Sequence, residues 1–359
     1  MNPERGPDRR ELFLSVLSGT PSKDIPVFLR DLTLGLDALS VETNAVFGAK
    51  YDAKLSAACV LELQNRIGHD AVVGCIHTYS LEAFGGTTVY PANGIPYLSD
   101  PPFANIDQMY GYVPEDICDE LLKGMRESYR IVRRKAPHLA EIMNIGGPMN
   151  TAGNLRGLET LMMDIILNPD LVSELMEFSE GIMKSTAEYI GADCADAVFL
   201  AAASDNPDML GLEDFMRISL PGIKNMTNFC HGMGLPVIFH PHGLFSTEDR
   251  KEVLRASLNT GVDGFQFAED NVPSGILKET SGKCCVLGGL DAFNALLLGP
   301  EERINRSVNS LLDSLFGEDY IMTCSCSLNR GVPIENIWIR VSSERQYTQW
   351  WKMAIGGKS

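Results

Sequence analysis

The sequence predicts a closed barrel of eight parallel strands, each followed by a helix, a (β/α)8 or TIM barrel. Eight short apolar runs recur along the chain, and helix-patterned segments separate them. No repeat, low-complexity tract or long linker interrupts this alternation. At 359 residues the chain exceeds the usual domain size, but α/β barrels reach this length as one unit. Residues 1–359 are therefore read as a single domain.

Residues 1–24 are read as an N-terminal helical extension. The first two strands are IPVFLR (25–30) and DAVVGC (70–75). The stretch from Thr78 to Glu115 is rich in Pro, Gly and aromatic residues. Loops of such length are usually functional or lid-like, so 78–115 is assigned as an active-site loop. The third run, LAEIMNI (139–145), reads as a strand, although LAEIMN could equally finish a helix. GGPMNTAG (146–153) allows close backbone approach and suits a cavity wall, but does not match a phosphate loop. PDLVSELMEFSEGIMKSTAEYIGA (169–192) has apolar residues at three- and four-residue intervals and opens on a Pro-Asp pair, which marks a helix. DAVFLA (196–201) is the next strand. The helix-patterned segment 211–234 holds Pro221, which starts a second turn or kinks it. LPVIFH (235–240), DGFQFA (263–268), CCVLGG (284–289) and YIMTC (320–324) complete the eight strands.

An apolar share of 45% is normal for a protein with a large core, and no apolar run is long enough to span a membrane. The N-terminal MNPERGPDRRELFLSVL lacks the features of a signal peptide, so a cytoplasmic protein is expected. Nine cysteines, odd in number and scattered, do not form a disulfide framework; they fit a reducing compartment where some thiols serve as metal ligands. A net charge of −17 argues against a nucleic-acid partner and reads first as solubility. It leaves a basic or neutral protein partner open, and a homo-oligomer is compatible with the sequence.

The candidate site begins with His240-Pro241-His242, which closes LPVIFH. Two imidazoles two residues apart at a strand end point to the same side. Cys326, in TCSCSLNRGVP, would complete a His2Cys set with one position open, the layout of a catalytic zinc. Cobalt or iron would accept similar ligands. Cys324 sits two residues earlier and can point the same way, so spacing leaves open which thiol binds. Cys284 and Cys285 read as core packing, with at most one facing the barrel. His240, Glu269 and Cys326 all fall at or just past strand C-termini, where barrels build active sites. Glu269 reads as a fourth ligand displaced by substrate or as the base for a thiol proton; alternatively, it and Asp270 are solvated charges. His242 could instead touch substrate, bond its loop, or act as an acid or base. Asp205 and Asn206, in SDNPD, end another strand and either order a loop or hydrogen-bond substrate.

Several segments together resemble the uroporphyrinogen decarboxylase superfamily over nearly the whole chain. They are IPVFLRDLT, GHDAVVGCIHTYSLEAFGG, GPMNTAGNLRGLETLMMDIILNPDLV, SDNPDMLGLEDFMRISLPGIK, GLPVIFHPHG, GVDGFQFAED, GGLDAFNALLLGPEE and CSCSLNRGVPIENI. Within that superfamily the chain more closely resembles the zinc-dependent, cobalamin-linked methyltransferases of the methylcobamide:coenzyme M type. The resemblance implies a TIM barrel, a zinc ion, a corrinoid (methylcobalamin) carried by a partner protein, and a small-molecule methyl donor or acceptor. It places His240 on the family histidine, Cys326 on the distal cysteine and Glu269 on an acidic position beside the metal. His242 stands where the coenzyme M enzymes carry cysteine. An imidazole there leaves the site one negative charge poorer, making zinc a stronger Lewis acid and a bound thiolate less nucleophilic. That keeps the metal but argues against coenzyme M as substrate. It also brings forward the reverse direction, O-demethylation delivering methyl to cob(I)alamin.

Two other readings stand beside this one. The superfamily's decarboxylases use an arginine-rich pocket and an aspartate. Arg30 falls where one family arginine does, but LRDLTLG lacks the next, and VVGCIHTYS offers only His77 where the aspartate is expected. Arg30 and His77 are kept as candidate substrate contacts, and a metal-free decarboxylase acting on a tetrapyrrole is disfavoured. The last reading is a non-catalytic corrinoid-binding protein with a degenerate metal site.

Overall fold

Apolar runs too short to cover themselves have to be buried by neighbours on both faces, and a parallel ring does this. The computed structural model describes residues 8–338 apart from 21, 23 and 80. Its strands are β1 (Ala71–Val72), β2 (Thr87–Val89), β3 (Tyr97–Asp100), β4 (Ala140–Gly146), β5 (Ala197–Ala202), β6 (Val237–Pro241), β7 (Gly264–Phe267), β8 (Cys285–Gly288) and β9 (Tyr320–Ile321). Seven of them make a parallel sheet in the order β1-β4-β5-β6-β7-β8-β9, and β2 and β3 pair separately as an antiparallel hairpin.

The first expected strand, 25–30, joins the two edges of that sheet by single bridges. Val27 pairs with Met322 and Phe28 with Ala71, both parallel. The Phe28 N–H donates to Met322 O at 2.9 Å, and the Ala71 N–H donates to Val27 O at 3.3 Å. Closure removes the exposed edges that an open sheet would present. The third run, which could have finished a helix, is a strand: β4 pairs with β5 from Ile142↔Ala197 to Gly146↔Ala201.

Register decides which residues face the interior. Paired residues in a parallel sheet share a face, and Asn144 pairs with Phe199, Phe199 with Ile238, and Phe239 with Phe265. Phe265 packs edge-on against Phe239 and Phe245, and Phe245 meets Phe215 of the surrounding helices. That face is outward. Phe199, Asn144, His240 and Gln266 therefore point into the barrel. The helical extension closes the other end. Phe13, in the helix Arg9–Leu17, packs on Phe28, which packs on Phe199, plugging the barrel from below.

The helix at 169–192 runs unbroken as Pro169–Ile190. The segment 211–234 does break. A short helix Leu212–Asp214 passes into a π-turn, Phe215–Ser219, before the helix Leu220–Gly232. Pro221 has no N–H for the carbonyl four residues back, and the wider turn just before it accommodates the loss. The long segment 78–115 is folded rather than open: it holds the β2–β3 hairpin and two 3-10 turns, and a third, Pro114–Ile117, begins at its end. Phe84 and Phe103 pack edge-on against Phe178 of the helix Pro169–Ile190 at 5.6 and 5.5 Å. No described helix is long and apolar enough to cross a membrane.

Candidate metal centre

The last inward residue of β6 before the mouth is His240, buried at 1% exposure. The chain then turns back at Gly243, whose φ of +107° favours glycine. A Cβ there would also clash with Asn206 Oδ1. The turn brings His242 Nε2 to 3.2 Å from His240 Nε2, with the two rings edge-on. Cys326 arrives from the loop after β9. That loop is anchored where Ser325 N–H donates to Leu290 O at 2.7 Å and Ser325 Oγ accepts from Ala292 N–H at 3.2 Å.

One ligand atom from each of His240, His242 and Cys326 lies within 4.8 Å of the others. Bonds of about 2.0–2.3 Å in a tetrahedron put neighbouring ligand atoms roughly 3.3–3.8 Å apart, so this set fits a zinc-sized ion with little adjustment. Cys326, not Cys324, is the thiol in the group; Cys324 is buried, and its carbonyl accepts from Gln266 Nε2 at 2.7 Å. None of the nine cysteines forms a disulfide, and Cys284 and Cys285 are buried away from the centre.

The protonation states suit metal binding. Burial pushes the Cys326 thiol up, but hydrogen bonds from His240 and His242, with the nearby Arg30 charge, outweigh it and bring it down to about 3. Burial holds His240 down at about 4, so its ring is neutral.

Arg30 is the nearby cation. Its φ of +46° is a left-handed backbone that costs a side-chain-bearing residue about 1–2 kcal/mol. Its guanidinium lies 4.5 Å over the Phe199 ring, and its Nε donates to Asn144 Oδ1 at 3.1 Å. Asn144 Nδ2 is 3.0 Å from His77 Nε2, and His77 meets Tyr79 edge-on at 5.2 Å. Arg30, His77 and Tyr79 open onto a cavity of about 270 Å³ at the barrel mouth. Ile95 and Pro96 of the long loop also line it, and none of its described lining residues is a carboxylate.

Glu269 is not brought to the centre. It is exposed and stands outside the three-residue group. The backbone turns just past β7, held by Asn271, whose N–H donates to Ala268 O at 3.1 Å and whose Oδ1 accepts from Phe245 N–H at 2.7 Å. Asn206 orders its loop instead of lining the cavity: it caps the short helix Pro207–Leu210, its Oδ1 accepting from Asp208 N–H at 2.8 Å. Asp205 is fully buried, and its Oδ1 accepts from Met149 N–H at 3.1 Å. Sequence reasoning passed over Tyr79, which lines the cavity, Asn144, which bonds Arg30 and His77, and Gln266, which donates to Cys324 O. For Gln266 the signal was present as a single polar residue inside an apolar strand, whereas Asn144 shares its strand with Glu141.

Asp205 carries a pH prediction. Burial raises its carboxyl to about 7 against the pull of the Met149 N–H, and burial likewise raises Asp31 to about 7. Between about pH 4 and 7 the folded protein therefore keeps protons that the unfolded chain has released. The contribution is fully present below about 4 and is lost as pH rises through 7. Asp205→Asn keeps the acceptor and removes the titration. Its loss of stability from about pH 5 to 7.5 is expected to be smaller than the parent's by roughly 2 kcal/mol in urea unfolding. Equal losses would rule out a raised Asp205.

A family model described as uroporphyrinogen decarboxylase (URO-D) matches residues 8–347. A methyltransferase from Methanosarcina mazei superposes with a TM-score of 0.80 at 18% identity, covering 94% of this chain and 98% of that one. A B12-independent methionine synthase from a Shewanella species superposes with a TM-score of 0.50 at 12% identity, covering 92% and 97%. At these identities the likeness shows a shared fold. No curated protein matches the chain.

Proposed function

The chain belongs to the uroporphyrinogen decarboxylase family, and within it we propose a zinc-dependent methyltransferase. It moves a methyl group between a corrinoid carried by a partner protein and a small thiol or methoxy substrate. The observation that carries this reading is the convergence of His240, His242 and Cys326 on one point at the barrel mouth, open to a cavity. The shared fold with a methyltransferase from Methanosarcina mazei supports it. Zinc held by these residues would supply Lewis-acid activation of the substrate's sulfur or oxygen.

The protein's own residues set the charge around that point. Two imidazoles and one thiolate bring a single negative charge, and no described carboxylate lining the cavity adds another. Arg30 adds a fixed positive charge behind Cys326. An electron-poor centre favours a leaving oxygen, so O-demethylation toward cob(I)alamin is the second reading, favoured by His242 in particular. A tetrapyrrole decarboxylase is less well supported, because Arg30 is already engaged by Asn144 and the Phe199 ring.

The test is metal analysis of tag-free, dialysed protein. It is followed by absorbance assays of methylcobalamin with thiols and of cob(I)alamin with methoxy compounds. Stoichiometric zinc with turnover in either direction is expected. Folded, metal-free protein inert in both assays would sink the proposal and return the decarboxylase or corrinoid-binding readings. His242→Cys adds a thiolate and is expected to raise methyl transfer to thiols on the order of tenfold, equivalent to about 1.4 kcal/mol, while slowing demethylation of methoxy compounds. Unchanged or lower thiol activity would refute this role for the charge at position 242.

A further inference from the structure

A second cavity, of about 50 Å³, lies against the first, between the end of β4 and the helices Glu120–Lys135 and Pro169–Ile190. His77, Thr78, Tyr79 and Asn154 line both cavities. The rest of its wall is largely apolar, with Leu122, Met125, Ile145, Ile182, Met183 and Ile190. Since one water needs about 10–15 Å³ by this measure, the space suits a group of about three or four non-hydrogen atoms. Its wall offers such a group dispersion contacts and no counter-charge. An unfilled apolar void is a standing cost in a close-packed interior.

The wall between the cavities holds an unpaired donor. Arg30 has only donors, so Asn144 Oδ1 must be the acceptor facing its Nε. Asn144 Nδ2 is then a donor, and His77 Nε2 accepts from it. The neutral His77 ring must carry its proton on Nδ1, which is buried without a hydrogen-bond partner in a residue only 8% exposed. A buried N–H left unpaired beside an apolar pocket implies a ligand that supplies the acceptor.

We propose that this second cavity is a substrate subsite for a short, uncharged alkyl group, with His77, which lines both cavities, donating its Nδ1–H to the sulfur or oxygen that the same molecule turns toward the metal centre. The substrate class is then an alkyl thiol or alkyl methyl ether whose heteroatom faces His240, His242 and Cys326 while its chain passes Tyr79. This rests on the metal reading of the main site. A substrate ending in a sulfonate or carboxylate is disfavoured, because the apolar wall would strip its water without replacing it.

Cobalt(II)-loaded protein reports thiol binding by its visible absorption, with no turnover needed. The probes are methanethiol, ethanethiol, 1-propanethiol, 1-butanethiol and 2-mercaptoethanesulfonate. Affinity is expected to rise about three- to fourfold per methylene until the cavity is full, and the sulfonate should bind more weakly than propanethiol. Met183→Ala enlarges the cavity and should move the optimum to a longer chain. Ile182→Phe fills it and should flatten the series. If the phenylalanine variant fails to fold, the shift in Met183→Ala decides alone. Cobalt uptake with an affinity independent of chain length, or an optimum that Met183→Ala leaves in place, overturns the subsite. Protein that takes up no cobalt overturns the metal reading, and the subsite with it.

Discussion

Cys326→Ala is expected to lose its zinc, with affinity falling more than about 100-fold and methyl transfer falling to background. Even outer-shell changes around a metal cost about 10–100-fold, and Cys326 is the only anionic donor in the group. What remains is a pair of imidazoles 3.2 Å apart at one strand end, with no described carboxylate of the cavity to take the vacant place. Glu269 cannot compensate from its exposed position without rebuilding the turn that Asn271 holds. Cys324→Ala is the matched control. It removes a buried thiol two residues away that stands outside the group, so it should keep stoichiometric metal. Metal analysis and competition with a chromogenic chelator measure both variants, with circular dichroism as the check on folding. Zinc retained at parental affinity in Cys326→Ala, or lost in Cys324→Ala, would mean the ligand set is wrong.

What could be read from the sequence here, and what could not, follows from how far each feature depends on neighbours. Strand ends are local: an apolar run stops, His240 closes one such run and Cys326 stands just past another. Their meeting needed only a barrel that brings all such ends to one face. Glu269 lies just past a strand end as Cys326 does, so placement alone does not separate the two. Its direction was decided by Asn271 bonding across to Phe245 and Gly243 on the neighbouring loop, which no local pattern encodes. Asn144 and Gln266 interrupt apolar strands, but whether they face the barrel or the helices depends on register, visible only once Phe239 is paired with Phe265. The first strand was legible as an apolar run. Its role as the closing element was not, because it bridges both sheet edges through single pairs rather than a ladder. The long loop was legible as a segment rich in Pro, Gly and aromatic residues, whereas its hairpin depends on Phe84 and Phe103 finding Phe178 about 75 or more residues away.

Asp196→Ala is expected to cost about 3–5 kcal/mol of stability while leaving the metal content of the folded protein intact. Asp196 sits at the opposite end of the barrel from the metal centre, just before β5, and is nearly buried. It accepts from Arg10 Nε at 2.9 Å, from Arg133 Nη1 at 2.9 Å and from the Glu141 N–H at 2.9 Å. One carboxylate thus ties the plugging helix, the helix Glu120–Lys135 and β4 to the start of β5. Glu141 cannot take over. Burial pushes its carboxyl well above the usual range although Arg133 lies 3.1 Å away, so it is a poor stand-in for a second full negative charge. Without Asp196, the Arg133 guanidinium and the Glu141 N–H lose their shared acceptor in a place water reaches poorly. Asp214→Ala is the comparison: its partner Arg217 is half exposed, and such a pair contributes less than about 1 kcal/mol. Urea unfolding of the zinc-loaded proteins separates the two. If both variants lose the same small amount, the cluster is a surface pair in disguise. If Asp196→Ala instead loses zinc while remaining folded, the two ends of the barrel are coupled, against the separation of stability below from chemistry above that this fold predicts.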